Sequence, residues 1–106
     1  MAKDKNKRPT LQIKKRYCDM IVSGEKKEEY RSLDRYRLKY IYEWFALGIP
    51  LPASVKFRNG YHKKALTLIV EVTGIRIGTG REEWGAKKDV EYHVLELGRI
   101  LFNGRL

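Results

Sequence analysis

The sequence predicts an α+β protein built as a small, mostly antiparallel β-barrel with helices packed at its openings. The chain has 106 residues, of which 42% are hydrophobic, and this is enough for one packed core but not for two. Alternating apolar residues predict several short strands, whereas only two segments have helical spacing. Several short strands with few helices are typical of small barrels. We expect one domain over residues 10–106, preceded by a flexible basic tail at residues 1–9.

The first two predicted elements are a strand in "TLQIKK" and a helix of about two turns in "RYCDMIVSG". In the helix Tyr17, Met20 and Ile21 are spaced i, i+3, i+4, so they share one face. Gly24 follows as a left-handed C-cap. A second helix is predicted over residues 33–47, where apolar residues line one side and basic residues the other.

Alternating apolar residues in the second half of the chain predict strands. Val55 and Phe57 alternate before "RNGY", which predicts a two-residue hairpin turn centred on Asn59 and Gly60. The strand that follows has four apolar residues on one face, and Gly74 within it indicates a bulge. The apolar residues of this face are Leu66, Leu68, Val70 and Val72. A polar loop, "GTGREEWGAKKD", precedes one or two last strands in "VEYHVLELGRILF", with a kink expected at Gly98.

The charge is strongly basic. Lys and Arg total 23 against 13 Asp and Glu, which gives a net charge of +10 and a pI near 9.8. A basic surface attracts polyanions because bound phosphates release counterions. RNA, or a nucleotide or nucleoside ligand, is therefore the expected partner, although a basic surface that serves only solubility has the same composition.

Several classes of protein are not expected. No apolar run approaches the roughly 18 residues of a membrane span, and no apolar segment follows the basic start as in a secretory signal. Cys18 is the only cysteine, which favours a reducing, cytoplasmic location. Because His62 and His93 lack paired spacing with it, we expect neither a metal nor another cofactor. We expect a monomer.

The segment "GEKKEEYRS", residues 24–32, fits no simple pattern. As a helix it has no apolar stripe. As a strand it places Glu29 and Arg31 on one face and Glu28 and Tyr30 on the other, so we expect neither face to build a core.

Taken with its surroundings, "IKKRYCDMIVSGEKKEEYRS" resembles the ASCH domain, a branch of the PUA-like superfamily. The family signature Gly-x-Lys-x-x-Glu-x-Arg is matched by Gly24, Lys26, Glu29 and Arg31. Later segments resemble the later strands of that family, so the resemblance covers residues 10–102. It implies a small barrel with a cleft lined by the signature, and family members are proposed to bind RNA.

The residue types of the signature suit a nucleotide. Lys26 and Arg31 can hold phosphate, Arg through its planar fork, and Glu29 can accept a hydrogen bond from the amine of a base such as cytosine. Trp84 can stack on a base, and Arg58 begins a basic hairpin tip that can contact phosphates. The predicted ligand site consists of Gly24, Lys26, Lys27, Glu29, Tyr30, Arg31, Arg58 and Trp84.

Three alternatives remain open. One branch of the family resembles amidohydrolases that act on N4-acylated cytidine, and nuclease activity has been suggested for others. The enzymatic alternative is therefore hydrolysis of a modified nucleoside or of RNA, in which Lys26 and Glu29 would be catalytic. This chain departs from that branch because Glu29 stands where a Thr nucleophile is expected; Glu82 and Glu83 are further carboxylates downstream. The basic surface can instead bind an acidic protein partner. Finally, Glu29 and Arg31 can form an exposed ion pair on a solvated edge strand.

Overall fold

The computed structural model describes residues 10–33 and 53–105. Its elements are β1 (Thr10–Gln12), α1 (Lys15–Val22), β2 (Glu28–Arg31), β3 (Ala53–Arg58), β4 (Leu66–Thr79), a 3-10 turn (Glu82–Trp84) and β5 (Glu91–Arg105). The tail predicted at residues 1–9, and all but the first residue of the helix predicted at 33–47, lie outside the described residues. Among the residues described, no helix is long and apolar enough to cross a membrane.

The strands form one five-stranded sheet in the order β1-β3-β4-β5-β2. All pairings are antiparallel except that of β1 with β3, which is parallel. The sheet curls into a half-barrel. The prediction of a mostly antiparallel, barrel-like sheet is therefore confirmed at this level.

The longest feature is a ribbon of β4 and β5, and it is irregular near its middle. Val70 pairs with Ile100 and Val72 with Leu97, so one residue of β4 faces two of β5. Two further shifts lie between Ile69 and Val70 and between Val72 and Gly74, and the latter confirms the predicted bulge at Gly74. Bulges increase local twist and bend a sheet, so they allow the two halves of the ribbon to curl towards each other.

Glu71 is the residue of β4 that lies opposite the extra residue of β5. Its Oε1 accepts hydrogen bonds from the backbone N–H of Arg99 (2.8 Å) and from Arg99 Nε (3.1 Å), and its Oε2 accepts one from Arg99 Nη2 (3.1 Å). The carboxylate thus replaces the ladder partner that the bulge removes. Gly98 lies within this bulge, and β5 continues through it as one strand.

The core confirms the predicted apolar faces. Side chains from α1, β1, β3, β4 and β5 pack together on the inner side of the curled sheet. Those of β3 alternate with more exposed residues, whereas in β4 Thr67 and Glu71 are buried as well. The buried set is Leu11, Ile13, Cys18, Ile21, Val55, Phe57, Leu68, Val70, Val72 and Leu95. Burial raises the pKa of the Cys18 thiol, which keeps it in the protonated form.

The predicted two-residue hairpin turn is wrong. β3 ends at Arg58 and β4 begins at Leu66, so the connection is a loop of residues 59–65. Arg58 explains the difference, because its Nη2 donates to the carbonyls of His62 (3.0 Å) and Lys63 (3.1 Å) within the loop. These side-chain bonds from the last residue of β3 stabilise a wider connection than the dipeptide Asn59–Gly60 would by itself predict.

The Glu71–Arg99 pair predicts a specific pH dependence. Hydrogen bonds from Arg99 lower the pKa of the Glu71 carboxyl in the folded protein. Its contribution to stability is therefore present above the ordinary Glu pKa of about 4.3 and is lost as pH falls through the lowered pKa. As pH is lowered from about 6 to about 3, the free energy of unfolding should fall less steeply in Glu71→Gln than in the wild type. Urea denaturation at each pH measures this free energy. Arg99→Gln should flatten the same part of the curve, and equal slopes in all three proteins would contradict this account.

Candidate functional site

The segment that carries the signature is positioned by the end of α1. Gly24 has a φ of 85° and confirms the predicted left-handed C-cap, and the backbone N–H of Lys26 donates to the carbonyl of Met20 at 2.9 Å. The chain then enters β2, which pairs antiparallel with β5 from Glu28 to Arg31. The signature residues therefore lie on an ordered turn and a hydrogen-bonded strand.

Lys26 is buried, and its side chain has no exposed area. Its Nζ donates to the carbonyls of Glu28 (2.6 Å) and Trp84 (2.7 Å) and lies 3.0 Å from Glu29 Oε1. The ammonium also lies 5.3 Å and 4.9 Å from the ring centroids of Tyr17 and Tyr30. An ammonium has three N–H donors, so each one has an acceptor within the protein.

Glu29 connects Lys26 to Arg31. One carboxylate oxygen of Glu29 faces Lys26, and the other accepts a hydrogen bond from Arg31 Nη2. The same Nη2 donates to the carbonyl of Gln12 at 2.8 Å. Because Gln12 is in β1 and Arg31 in β2, this contact joins the first and last strands of the sheet order. We call these four residues the seam: Gln12, Lys26, Glu29 and Arg31.

The opposite face of β2 has its own polar network. Tyr30 Oη donates to Glu28 Oε1 at 2.7 Å and accepts from the backbone N–H of Arg81 at 3.0 Å. Arg76 donates to the other Glu28 oxygen at 3.1 Å. Tyr30 packs closely on the backbone of Gly80, where an added Cβ would lie 2.3 Å from the ring. Glycine is thus required where the loop after β4 crosses Tyr30.

Both titratable groups at the centre of the segment respond to burial. Removal from water lowers the pKa of the Lys26 ammonium, and the Glu29 carboxylate opposes this effect. Burial also raises the pKa of Tyr30 to about 12. Tyr30 therefore remains a neutral hydrogen-bonding group at physiological pH.

The expectation that neither face of this segment is buried is wrong. Lys26, Glu29 and Tyr30 are 2%, 7% and 9% exposed, so the Glu29–Arg31 ion pair is not a solvated surface contact. Each charge is buried together with a counter-charge and hydrogen-bond partners, which is the condition under which charged groups leave water.

The other predicted site residues are spread around the seam. Lys27 is exposed, and its carbonyl accepts the N–H of Leu97. Trp84 is half-buried against Tyr30 and contacts the seam through its carbonyl, while the guanidinium of Arg81 lies 4.8 Å from its ring centroid. None of the hydrogen bonds and ion pairs described above joins Lys27 or the Trp84 ring to Glu29 or Arg31.

Arg58 lies at the base of the 59–65 loop, where its Nη2 contacts loop carbonyls. Two further carboxylates considered for hydrolysis, Glu82 and Glu83, are exposed, and Glu83 pairs with Arg81 at 3.4 Å.

Sequence reasoning missed Gln12 as a member of the site. Its contribution is a backbone carbonyl, which any residue type supplies, so no residue pattern could have identified it. The part of the chain that the structure describes holds no group of three or more His, Cys, Asp or Glu side chains placed to bind a metal ion.

Comparison with known proteins gave no relative. No family model matches the chain, and no significant match was found to a curated protein or to a solved structure.

Neighbouring lysines provide a test of the seam. Lys26→Met removes a buried cation and leaves one Glu29 oxygen and two carbonyls without their partner, and breaking a buried ion pair costs about 3–5 kcal/mol. We expect chemical denaturation to show a loss of at least about 3 kcal/mol for Lys26→Met. The control Lys27→Met alters an exposed side chain and should stay within about 0.5 kcal/mol of the wild type. Equal losses in the two variants would contradict the assignment of Lys26 to the interior.

Proposed function

We propose that this chain binds RNA as a PUA-like protein of the ASCH type, and that Arg31 is the signature residue that contacts the ligand. The observation that carries the proposal is the unequal hydrogen bonding of the signature charges. Lys26 is fully enclosed and has three acceptors, and both oxygens of Glu29 face cations; the Glu29 and Arg31 side chains are similarly exposed, at 9% and 11%. The Nε–H of Arg31 is buried and has no hydrogen-bond partner within the described residues.

Arg31 has the chemistry that phosphate recognition requires. Its guanidinium is planar and permanently charged, and because Glu29 and Gln12 already accept from its Nη2, the remaining N–H groups are the ones that can donate to a phosphate or base oxygen. Contacts with Glu29 and Gln12 hold its Nη2, and the guanidinium carbon lies 5.9 Å from the centroid of the Phe57 ring. A side chain held in this way loses little conformational entropy on binding.

An unsatisfied donor also favours a ligand that brings an acceptor. A buried N–H without a partner costs about 1–3 kcal/mol, and a phosphate or base oxygen that reached Arg31 Nε would recover part of that cost. The net charge of +10 adds long-range attraction for a polyanion. Lys26 and Glu29 support the site indirectly, because they fix the position of Arg31.

Binding is better supported than hydrolysis. In a hydrolase of the kind considered above, Glu29 would accept a proton from water and Lys26 would polarise a carbonyl. Lys26 already donates to three acceptors, and Glu29 already bridges two cations. A ligand would have to displace these contacts before either group could act.

The proposal is tested by amide NMR titration with a short single-stranded RNA at low and at physiological salt. We expect shifts at residues 10–14 and 28–33 that weaken as salt rises, since phosphate contacts release counterions. Arg31→Lys keeps the charge but loses the fork and should weaken binding about tenfold, the equivalent of about 1.4 kcal/mol.

Arg76→Lys is the matched control, because Arg76 lies on the same sheet but pairs with Glu28 and Glu96. It should bind RNA like the wild type. Equal loss in both variants would show that Arg31 has no special role, and a titration without salt-dependent shifts would overturn RNA binding itself.

A further inference from the structure

The loop of residues 59–65 is held in place by a dense set of hydrogen bonds. In addition to the bonds from Arg58, Arg105 Nη1 donates to the carbonyl of Lys64 at 3.0 Å. The backbone N–H of Ala65 donates to the carbonyl of His62 (2.9 Å), and that of Lys64 to His62 Nδ1 (3.0 Å). The loop carbonyls at 62, 63 and 64 therefore all accept hydrogen bonds from donors within the protein.

The loop is also fixed to β1 and to the turn that follows it. Asn59 Nδ2 donates to the carbonyl of Ile13, and the backbone N–H of Gly60 donates to Gln12 Oε1, both at 2.9 Å. Gln12 thus accepts from Gly60 through its side chain and from Arg31 through its backbone. One residue therefore links the loop to Arg31 of the seam.

The side chains of this ordered loop are exposed. Tyr61 is 88% exposed, and His62, Lys63 and Lys64 are exposed beside it. A tyrosine ring in this position adds nothing to the core. It is a flat, amphipathic surface of the kind on which bases stack.

The surroundings of the loop are predominantly basic among the described residues. Residues 10–18, 56–68 and 103–105 contain no Asp or Glu, although Lys15 pairs with the adjoining Asp19 at 2.7 Å. The basic residues of these stretches are Lys14, Lys15, Arg16, Lys56, Arg58, Lys63, Lys64 and Arg105. Charges are balanced at the other end of the sheet, where residues 74–96 hold five acidic and four basic residues.

We propose that the 59–65 loop is a contact surface for a single polynucleotide strand, on which Tyr61 stacks against a base while Lys63 and Lys64 neutralise neighbouring phosphates. This inference rests on the RNA binding proposed above and specifies its substrate class. Stacking on an exposed ring needs a base whose face is free, and a duplex offers none along its length. A strand bound at Arg31 can continue to the loop because both contact Gln12.

The test measures the affinity of the full chain for three probes: a single-stranded oligouridylate, an RNA duplex of equal length, and inorganic polyphosphate, which has charge but no bases. Wild type should bind the single strand more tightly than the duplex. Tyr61→Ala should weaken binding of the oligouridylate about tenfold, whereas its affinity for polyphosphate should equal that of the wild type. Tyr61→Phe keeps the ring and should bind like the wild type.

The outcomes separate this inference from the function on which it rests. If wild type binds the oligouridylate and Tyr61→Ala binds it equally well, the loop inference is overturned and RNA binding stands. A parallel loss for polyphosphate, or tighter binding of the duplex, also overturns stacking at Tyr61. If wild type binds no RNA even at low salt, both proposals fail together.

Discussion

A lysine ammonium that has left water needs a counter-charge and an acceptor for each of its protons, and the arrangement around β2 depends on how Lys26 meets this requirement. The counter-charge comes from Glu29 on the next strand, one acceptor from the backbone of that strand, and another from the distant 3-10 turn. The loop after β4 is therefore fixed to β2 by a carbonyl rather than by apolar packing alone. Glu29, once oriented by Lys26, in turn orients Arg31.

The contact between Arg31 and Gln12 also depends on the curvature of the sheet. Bulges in the β4–β5 ribbon allow the sheet to bend, and Glu71 restores the hydrogen bonds that one of them removes. Bending brings β1 and β2 close enough for Arg31 to reach Gln12. Buried ion pairs contribute little net stability, because desolvation offsets their attraction. We infer that the main effect of the seam is to specify which strands meet.

Sequence patterns predicted the parts of the fold that depend on local periodicity. Alternation in β3 and β4, the C-cap at Gly24 and the bulge at Gly74 follow from neighbouring residues, and all are present. The burial of Lys26 depends on the carbonyl of Trp84, which is far away in the chain, so no window of sequence contains the reason for it. The prediction of a two-residue turn was wrong because the dipeptide Asn59–Gly60 does not show the bonds that Arg58 and Arg105 donate to the loop carbonyls. Arg58 adjoins the loop, whereas Arg105 is 41 residues from Lys64. The residue pattern of the 24–32 segment did not indicate that Lys26, Glu29 and Arg31 form an interior network.

Residues of this one segment have different tasks. Lys26 and Glu29 maintain the interior, while Arg31, at the end of the same network, has an Nε–H without a hydrogen-bond partner among the described residues. Under the proposed function Arg31 and the 59–65 loop form one path for a polynucleotide, joined at Gln12, and this path requires the interior part of the network to be in place.

The most direct test of that claim is an NMR measurement of the lysine ammonium groups in isotope-labelled protein. The account predicts that the Lys26 ammonium protons exchange slowly with water and show couplings through hydrogen bonds to the carbonyls of Glu28 and Trp84. Its resonance should be absent from Lys26→Met and retained in Lys27→Met. If the Lys26 ammonium exchanges as fast as that of Lys27, it lies in solvent and the network does not exist as described.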